Sequence, residues 1–404
     1  MPPSMALKAK MYVKRGTSAP WYKGRDLTDE QRNKFRATTI ASQAAKAKAV
    51  NGECVLPKHP IPVATFNPLT LMPEMAKNGF SALSMFSGCG GLDIGFDRAG
   101  FKHVASYDIL PEAEEVLNAA HPDWKVFAGD NGDVTQVNWK QYRGEIDVLH
   151  GGPPCQPFSH AGHQNGSDDE RDMVPELIRA ALEAKPRAFI LENVSGLATK
   201  KFASYVKKVI FDAVEGQYHV HSFLLEAADF GVPQRRKRVF FVGFRNKADF
   251  DRFERPLPTH SWDRNDTNLP ATMGVREALG LPSIGVDALA PTIRSGWTGP
   301  RHTTSIVNSA TSMKQWDEIA VWPNGVAADR EAAAAFVAKN GHFRLSIQDC
   351  MLLQGFPESW PIQRPVYKAL GLIGNSVAPP MAYAVAASVA EALGIKRSSA
   401  QATA

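Results

Sequence analysis

The sequence predicts an α/β protein whose larger domain is a doubly wound sheet and whose smaller domain is rich in loops. Between Ser81 and Phe244, short apolar runs of strand length alternate with segments of helical periodicity. This alternation is typical of a largely parallel sheet covered by helices. From about Asn246 to His342 the alternation gives way to Pro, Gly, Thr, Trp and Arg, and helical patterns return after it.

The elements of the larger domain are predicted one by one from their periodicity. Apolar runs bounded by turn residues predict strands, and apolar residues three or four positions apart predict helices. In chain order the strands are SALSMFSG, KHVASYD, IDVLH, RAFILENV, YHVHSFLLEAADFGV and KRVFFVGF, and the helices are LDIGFDRAG, PEAEEVLNAAH, DMVPELIRAALEAKP and YVKKVIFDAV. Two later helices, SIQDCMLLQGF and PPMAYAVAASVAEALG, are predicted to return the chain to this domain.

These patterns divide the chain into residues 1–78, 79–245, 246–343 and 344–404. The first part holds 13 Lys and Arg against 5 Asp and Glu, whereas the net charge of the whole chain is only +5. Its Ala/Lys-rich and then Pro-rich composition predicts a basic arm and a stiff linker outside the core. Such a surplus favours contact with phosphates of any duplex, although a short helix at LTDEQRNKF, docked on the larger domain, is an alternative.

Composition excludes several classes of protein. The chain has 404 residues, of which 44% are hydrophobic and 22% charged, enough for one sizeable domain and a smaller one. Its four cysteines form no CxxC pair, so neither a disulfide framework nor a zinc module is predicted. No uninterrupted apolar run approaches membrane-spanning length, and the N-terminus lacks the apolar block of a secretory signal. We therefore expect a soluble, intracellular protein without a metal site.

A glycine-rich turn, FSGCGGLDIGF, follows the first predicted strand and opens the first helix. Small residues there let a ligand approach the backbone, and a helix N-terminus offers free amide donors. Asp108 ends the second strand, where its carboxylate could accept both hydroxyls of a ribose. Asp133 precedes a predicted strand, where it could meet an adenine amino group. The turn and the two acids therefore favour an adenosine-containing ligand over an ordinary tight turn with solvated charges.

The stretch GGPPCQPFSH places Cys155 just after a buried strand and between prolines. A cysteine kept for packing needs no such stiff neighbours, so the sequence predicts a thiol held in a fixed position, as a nucleophile requires. Three alternatives stay open at this point: an inert buried thiol, a metal site shared with His160 and His163, and a cysteine–histidine hydrolase.

Two later motifs supply charged groups at predicted strand ends. Glu192 lies in LENV, where a carboxyl group shielded from water can stay protonated and act as a general acid. Arg236 and Arg238 in QRRKR are two residues apart and share one face if they begin a strand. They could bind phosphate, orient a base carbonyl or hold Glu192. A helix cap and an exposed basic edge are the alternatives.

Taken in order, FSGCGG, GGPPCQPFS, ENV, QRRKR, LSIQDCMLLQGFP and GNSVAPP resemble the motif series of the DNA cytosine-5 methyltransferases. The resemblance implies a Rossmann-like methyltransferase domain, S-adenosyl-L-methionine as methyl donor and double-stranded DNA as partner, with the target cytosine flipped out of the duplex. It implies that Cys155 adds to carbon 6 of that cytosine and that Glu192 protonates ring nitrogen 3, which activates carbon 5 for the methyl group.

The resemblance also assigns roles to other positions. Arg238 is expected to contact the base carbonyl, with Arg236 and Ser159 supporting the catalytic site. Gln156, Ser159 and Gln234 are expected to contact DNA. The donor pocket is expected to be lined by Phe86, Ser87, Gly88, Cys89, Gly90, Gly91, Leu92, Asp108, Ile109, Asp133, Val134 and Pro153, and closed by Asn375 and Val377.

Residues 246–343 occupy the place of the family's target-recognition domain, and PTIRSG within them resembles a short Thr-centred motif found there. Arg294 and Arg301 are candidates for reading guanine edges, with phosphate contact as an equal alternative. Asp349 departs from the family pattern, which usually has Glu at that place. Because the charge is kept and only the reach is shorter, a small structural effect without loss of activity is expected.

Other functions remain to be weighed. An RNA cytosine-5 methyltransferase would share the catalytic core, but the roughly 100 residues of the recognition region favour DNA. A non-catalytic methyltransferase-like DNA-binding regulator would not need Cys155, Glu192 and Arg238. A monomer is expected in the cytoplasm of a bacterial or phage-infected cell, near the nucleoid, with a cognate restriction endonuclease as a candidate partner.

Overall fold

The computed structural model describes residues 59–154, 172–263, 265–295, 304–335, 341–362 and 365–394, with isolated positions between Thr28 and Ala44. The strands are β1 (Ser81–Met85), β2 (Lys102–Asp108), β3 (Val126–Ala128), β4 (Val148–Gly151), β5 (Ala188–Val194), β6 (His219–Glu226), β7 (Lys237–Phe244), β8 (Val321–Ala327) and β9 (Phe343–Ser346). The helices are α1 (Gly91–Arg98), α2 (Pro111–Ala120), α3 (Val174–Ala184), α4 (Ala203–Val206), α5 (Lys247–Arg252), α6 (Val275–Ala278), α7 (Ala310–Glu318), α8 (Arg330–Ala334), α9 (Ile347–Gln354), α10 (Val366–Asn375) and α11 (Pro379–Ala392).

Seven strands form one sheet in the order β3-β2-β1-β4-β5-β7-β6. The first five run parallel, and β7 runs antiparallel to both β5 and β6. The strand order reverses between β1 and β4, and ligands of such sheets bind in the crevice at the carboxyl ends of the strands beside this reversal. The doubly wound α/β fold predicted from the sequence is confirmed.

Residues on alternate positions of each strand face opposite sides of the sheet, and both sides are covered. In β5, Ala188 and Ile190 belong to a buried cluster with α1 and α11. Phe189 and Leu191, in between, belong to a second cluster with α3. Since both faces are buried, these strands contain nearly continuous apolar runs, which is why the sequence identifies them clearly.

One strand near the crevice was placed wrongly. The sequence predicts a strand after Asp133, but β3 (Val126–Ala128) precedes this residue. Asp133 instead begins a 3-10 turn, Val134–Gln136, and its Oδ1 accepts a hydrogen bond from the Thr135 backbone N–H. Short polar turns have no hydrophobic periodicity, so the sequence could not distinguish this 3-10 turn from the start of a strand.

The two helices predicted near the C-terminus form as α9 and α11, and α11 packs against α1. By length and composition alone, the stretch Val366–Ala392 could cross a membrane, contrary to the expectation that no apolar run is long enough. The chain leaves the helical conformation at Ser376, however, so the stretch is two helices, and 72% of its most apolar window is buried inside the fold. These are core helices.

The described parts of residues 246–343 share a core with helices of the sheet domain. Val275, Ile306 and Trp316 belong to the same buried cluster as Leu117 of α2 and Leu352 of α9. The sequence predicts a separate domain here, but this apolar contact ties the region to the sheet domain. At the start of this region, α5 also packs directly against α11 and β7 of the sheet domain.

Part of the N-terminal segment also belongs to the core. Phe66 and Met72 are buried, and the backbone N–H groups of Thr65 and Phe66 both donate to the Ala278 carbonyl at 3.1 Å. The expectation that all of residues 1–78 lie outside the core is therefore wrong for this stretch. Farther upstream, the described positions from Asp29 to Ala44 are helical and exposed.

The first and last helices of the sheet domain, α1 and α11, approach each other closely at Gly95. A Cβ atom placed there would lie 2.5 Å from the Tyr383 backbone nitrogen and 2.7 Å from the Ala382 carbonyl carbon. We expect Gly95→Ala to lower the free energy of unfolding by about 1–3 kcal/mol through overpacking, although alanine is the better helix former by about 1 kcal/mol.

Denaturant unfolding measures this change. The control is Glu114→Ala, at an exposed position on α2, whose free energy of unfolding is expected within about 0.5 kcal/mol of wild type. A stabilised Gly95→Ala protein would contradict the close approach of the two helices.

Candidate active site

The turn after β1 is shaped by left-handed backbone conformations. Phe86, Gly88 and Gly90 all have positive φ, at 57°, 55° and 85°. A Cβ atom at Gly88 would meet nothing within 4 Å, whereas one at Gly91 would lie 2.0 Å from Ser376 Oγ. The turn is therefore open on the side of Gly88 and tightly covered at the first residue of α1.

Asp108 lies at the carboxyl end of β2, against this turn. Its Oδ2 accepts the Gly88 N–H at 2.7 Å and its Oδ1 accepts the Leu110 N–H at 2.8 Å. Burial raises the pKa of this carboxyl to about 6, against the opposing effect of these two hydrogen bonds. The next side chain, Ile109, is 37% exposed although apolar. A buried carboxylate, an open glycine and an exposed apolar side chain thus lie together beside the crevice.

The other predicted donor-pocket residues divide into two groups. Ser87, Cys89, Leu92, Val134 and Val377 are buried, whereas Asn375 is exposed. The Cys89 side chain belongs to a hydrophobic cluster, and burial raises the pKa of its thiol to about 12. The Cys89 side chain therefore supplies no charged group to a pocket. The carbonyl oxygen of Cys89 accepts the Trp360 Nε1–H at 2.8 Å.

The segment Gly151–Pro154 follows β4 at the same edge of the sheet. Asn193 Nδ2 donates to the Pro153 carbonyl at 3.2 Å, which fixes the segment to β5. A Cβ atom at Gly152 would lie 2.6 Å from Glu192 Oε2, so only glycine leaves room for that carboxyl group. The residue that follows Pro154 is Cys155. The chain is thus described up to the position directly before the predicted nucleophile.

Glu192 and Arg238 form a buried ion pair next to this segment. Arg238 Nε donates to Glu192 Oε1 at 2.8 Å, and the side chains are 9% and 8% exposed respectively. The pair forms because β7 is antiparallel to β5, which sets Val194 opposite Arg238. Burial raises the pKa of Glu192, and the charges of Arg238 and Arg236 oppose that rise. A carboxyl group with a raised pKa, in a crevice, is suited to give up a proton.

Two polar residues predicted at the site, Arg236 and Gln234, lie inside the protein. Arg236, expected to support the catalytic site, is fully buried, and its guanidinium donates to the carbonyls of Ile293, Gly374 and Ser376. Gln234, predicted to contact DNA, is also fully buried. Its Nε2 donates to the Leu353 carbonyl and to Gln354 Oε1, and its Oε1 accepts the Ile293 N–H. Both side chains join segments of the protein to one another.

Several predicted site residues lie outside the described part of the chain: Cys155, Gln156, Ser159, His160, His163 and Arg301. Arg294 is described and half-buried, with Nη1 donating to the Val307 carbonyl at 3.4 Å. Among the described residues, no group of three or more His, Cys, Asp or Glu side chains is placed to hold a metal ion.

The structure explains the unusual Asp349. Its carboxylate is fully buried, where Oδ2 accepts the Ser346 N–H and hydroxyl in a reciprocal helix cap. Arg330 Nε donates to Oδ1 at 2.9 Å. The shorter side chain is therefore fully engaged, with an arginine from the recognition region reaching it.

Asn193 and Trp360 are site residues that the sequence did not single out. Asn193 follows Glu192 in the ENV motif, but no role was predicted for it. Trp360 lies about 270 residues after the Cys89 carbonyl that it holds. Only the tertiary contact reveals its part in fixing the glycine-rich turn.

The strand order, the glycine-rich turn with Asp108, and the buried Glu192 beside a proline segment define a Rossmann-like methyltransferase domain. The family model for the C-5 cytosine-specific DNA methylases matches residues 80–391, and the chain belongs to this family. It is a DNA cytosine-5-methyltransferase, and the RNA enzyme, the regulator and the hydrolase are not favoured.

Relatives and solved structures agree with this result. The chain is 34% identical over 335 residues to the Type II methyltransferase M.NgoMIV of Neisseria gonorrhoeae, covering 78% of this chain and 98% of that protein. It is 30% identical over 338 residues to M.NgoPII of the same organism, with 78% and 97% covered. It resembles a solved DNA modification methyltransferase of an Escherichia coli prophage (22% identity, TM-score 0.52, 78% and 99% covered). At that identity the likeness shows the fold alone.

The Asn193 contact generates a prediction. Asn193→Ala removes the donor that holds the Pro153 carbonyl, and a displacement of about 1 Å at a reacting group can cost up to ~100-fold in rate. We expect kcat to fall about 10- to 100-fold while KM for the methyl donor stays within about threefold, measured by steady-state methyl transfer to DNA.

The matched control is Asn138→Ala, which removes only an exposed cap on the Lys140 N–H and is expected to leave both constants unchanged. A folded Asn193→Ala protein with wild-type kcat would show that the contact does not position the reaction.

Proposed function

We propose that the chain transfers a methyl group from S-adenosyl-L-methionine to carbon 5 of a flipped-out cytosine in a specific duplex sequence, through a covalent adduct with Cys155. The observation that supports this most directly is the buried Glu192 carboxyl, which packs over Gly152 and lies beside the segment that leads to the cysteine. An acid group and a nucleophile at one place fit addition to a ring whose nitrogen must be protonated at the same time.

The described residues fit the proposed donor. Asp108 is buried beside an open space at Gly88 and could accept the ribose hydroxyls, while the exposed Ile109 could pack against an adenine ring. Asp133 is half-buried at the start of the next turn. The donor supplies an electrophilic methyl group on a sulfonium. The chain holds it against the turn 86–92, with Val377 packed behind.

Each residue then has a role in the transfer. The Cys155 thiolate forms a bond to carbon 6 of cytosine while Glu192 gives its proton to ring nitrogen 3, which makes carbon 5 nucleophilic. Carbon 5 forms a bond to the methyl carbon as the bond from that carbon to the donor's sulfur breaks, which leaves S-adenosyl-L-homocysteine. A base then takes the proton from carbon 5. Cleavage of the bond from sulfur to carbon 6 restores the thiolate, and return of the proton on nitrogen 3 to Glu192 restores neutral 5-methylcytosine and the acid. Arg238 orients the Glu192 carboxyl and is proposed to contact the base carbonyl.

The proposed partners follow from charge and relationship. Residues 1–78 carry the surplus of basic side chains and are proposed to add sequence-independent phosphate contacts. Residues 246–343 are proposed to select the target sequence, with Arg294 and Arg301 as candidates for base or phosphate contact. The matched relatives are named Type II methyltransferases, which supports a cognate restriction endonuclease as partner. We propose a monomer that works beside the bacterial nucleoid.

Bisulfite sequencing of DNA from cells that express the protein tests this function, since it reports the modified base and its sequence context together. Cys155→Ser should abolish cytosine methylation because only the covalent step requires the thiol, while donor binding stays within about threefold of wild type. Methylation that persists in the Cys155→Ser protein would overturn the proposed adduct.

The carboxyl role gives a separate prediction. Glu192→Gln keeps an oxygen for Arg238 Nε but removes the acidic proton, so kcat should fall about 100-fold or more, the scale of a lost general acid. Single-turnover rates and donor titration measure the two effects. If donor affinity collapsed and the rate did not change, Glu192 would belong to the donor pocket and not to the base site.

A further inference from the structure

Arg236 joins two segments that serve different ligands in the proposed function. It is fully buried. Its Nη1 donates to the Ile293 carbonyl at 3.4 Å, and its Nη2 donates to the Gly374 carbonyl at 2.8 Å and to the Ser376 carbonyl. Ile293 belongs to the recognition region, and the other two carbonyls belong to the loop between α10 and α11.

The loop of residues 374–377 touches the donor side of the site. A Cβ atom at Gly91, the first residue of α1, would lie 2.0 Å from Ser376 Oγ and 2.5 Å from the Val377 carbonyl oxygen. The loop therefore has no room to move towards the glycine-rich turn. The Ser376 carbonyl also accepts Gln354 Nε2–H at 2.8 Å.

The recognition side is attached just as closely. Ala290 and Pro233 to Arg235 form a short ladder, with Ala290 N–H donating to the Pro233 carbonyl at 2.9 Å and Arg235 N–H donating to the Ala290 carbonyl at 2.8 Å. Thr292 Oγ1 donates to the Arg235 carbonyl at 2.6 Å. This ladder holds the start of PTIRSG to the segment that contains Arg236, directly before β7.

The two segments also touch each other directly. A Cβ atom at Gly374 would lie 2.3 Å from the Ser295 backbone nitrogen. Since there is no room between the loop and PTIRSG, a shift of one displaces the other. A buried guanidinium that loses a carbonyl partner bears the full cost of its desolvation, so Arg236 favours the arrangement in which both segments are in place.

We propose that Arg236 is a positioning residue that couples methyl-donor binding to duplex binding. The proposal rests on the proposed function for the location of donor and DNA. A donor on the glycine-rich turn restrains the loop 374–377, the loop holds Arg236, and Arg236 holds Ile293 and PTIRSG in the position that meets the duplex. Coupling of this kind is reciprocal, so DNA must tighten donor binding by the same factor.

Arg236→Lys tests the coupling. Lysine keeps the charge but has one compact ammonium in place of a planar fork, so it cannot reach carbonyls on both sides. The probes are S-adenosyl-L-homocysteine, which lacks the methyl group and permits no chemistry, and a duplex with the site found by bisulfite sequencing. In wild type, we expect each ligand to lower the dissociation constant of the other fivefold or more. In Arg236→Lys we expect this factor to be less than twofold, while the affinity for S-adenosyl-L-homocysteine alone stays similar to that of wild type.

Arg245→Lys is the matched control. This arginine is exposed at the opposite edge of the sheet, where Nη1 donates to the Lys185 carbonyl at 2.7 Å, and its replacement should leave the coupling at the wild-type value. Thr292→Val removes the hydrogen bond to the Arg235 carbonyl without changing a buried charge. It is the second test variant in case Arg236→Lys does not fold. Its coupling factor should fall to about half of the wild-type value or less.

The outcomes separate the two proposals. If wild type does not bind S-adenosyl-L-homocysteine, the proposed donor site fails. If wild type binds both ligands without mutual tightening, the role of Arg236 is overturned while the donor site stands. The same conclusion follows if the folded Arg236→Lys protein keeps the wild-type coupling. Where Arg236→Lys does not fold, wild-type coupling in Thr292→Val overturns the role instead.

Discussion

The ion pair between Glu192 and Arg238 is the contact on which the arrangement of the site depends. A buried charge pair is poor evidence for stability, because desolvation offsets the attraction, but loss of one partner leaves an uncompensated charge that costs about 3–5 kcal/mol. The pair requires β7 to run antiparallel beside β5. That direction brings the QRRKR segment to the carboxyl edge of the parallel strands, where the glycine-rich turn and the proline segment also lie.

From this edge the polar side chains of the same segment extend to the rest of the molecule. Gln234 and Arg236 are fully buried and use their donors on carbonyls from the recognition region, α9 and the loop before α11. The described part of residues 246–343 shares an apolar cluster with α2 and α9. Its position relative to the sheet domain is therefore fixed both by burial and by a few directional hydrogen bonds.

Much of the fold and part of the site could be predicted from the sequence. Strands buried on both faces have almost continuous apolar runs, so β1, β2, β4, β5 and β7 were identified. Asp108 and Glu192 could be singled out because an acidic residue that ends an apolar strand is unusual. The predicted DNA contact of Gln234 was wrong, and the carbonyl partners of Arg236 could not be foreseen. The sequence of a polar motif does not show whether a side chain faces DNA or a buried carbonyl. The partners of these two residues lie between 57 and 140 residues away along the chain.

The sequence by itself determined the α/β class, the order of the elements, the donor-side turn and the chemistry of the motifs, since these depend on local periodicity and residue type. Only the tertiary structure decided which polar side chains hold distant segments of the protein together. Asn193, Trp360 and the pair of Arg330 with Asp349 acquire their roles from partners that folding brings near. The reason is physical: periodicity records which face of an element is buried, whereas a hydrogen bond or an ion pair depends on which distant atom lies within about 3 Å.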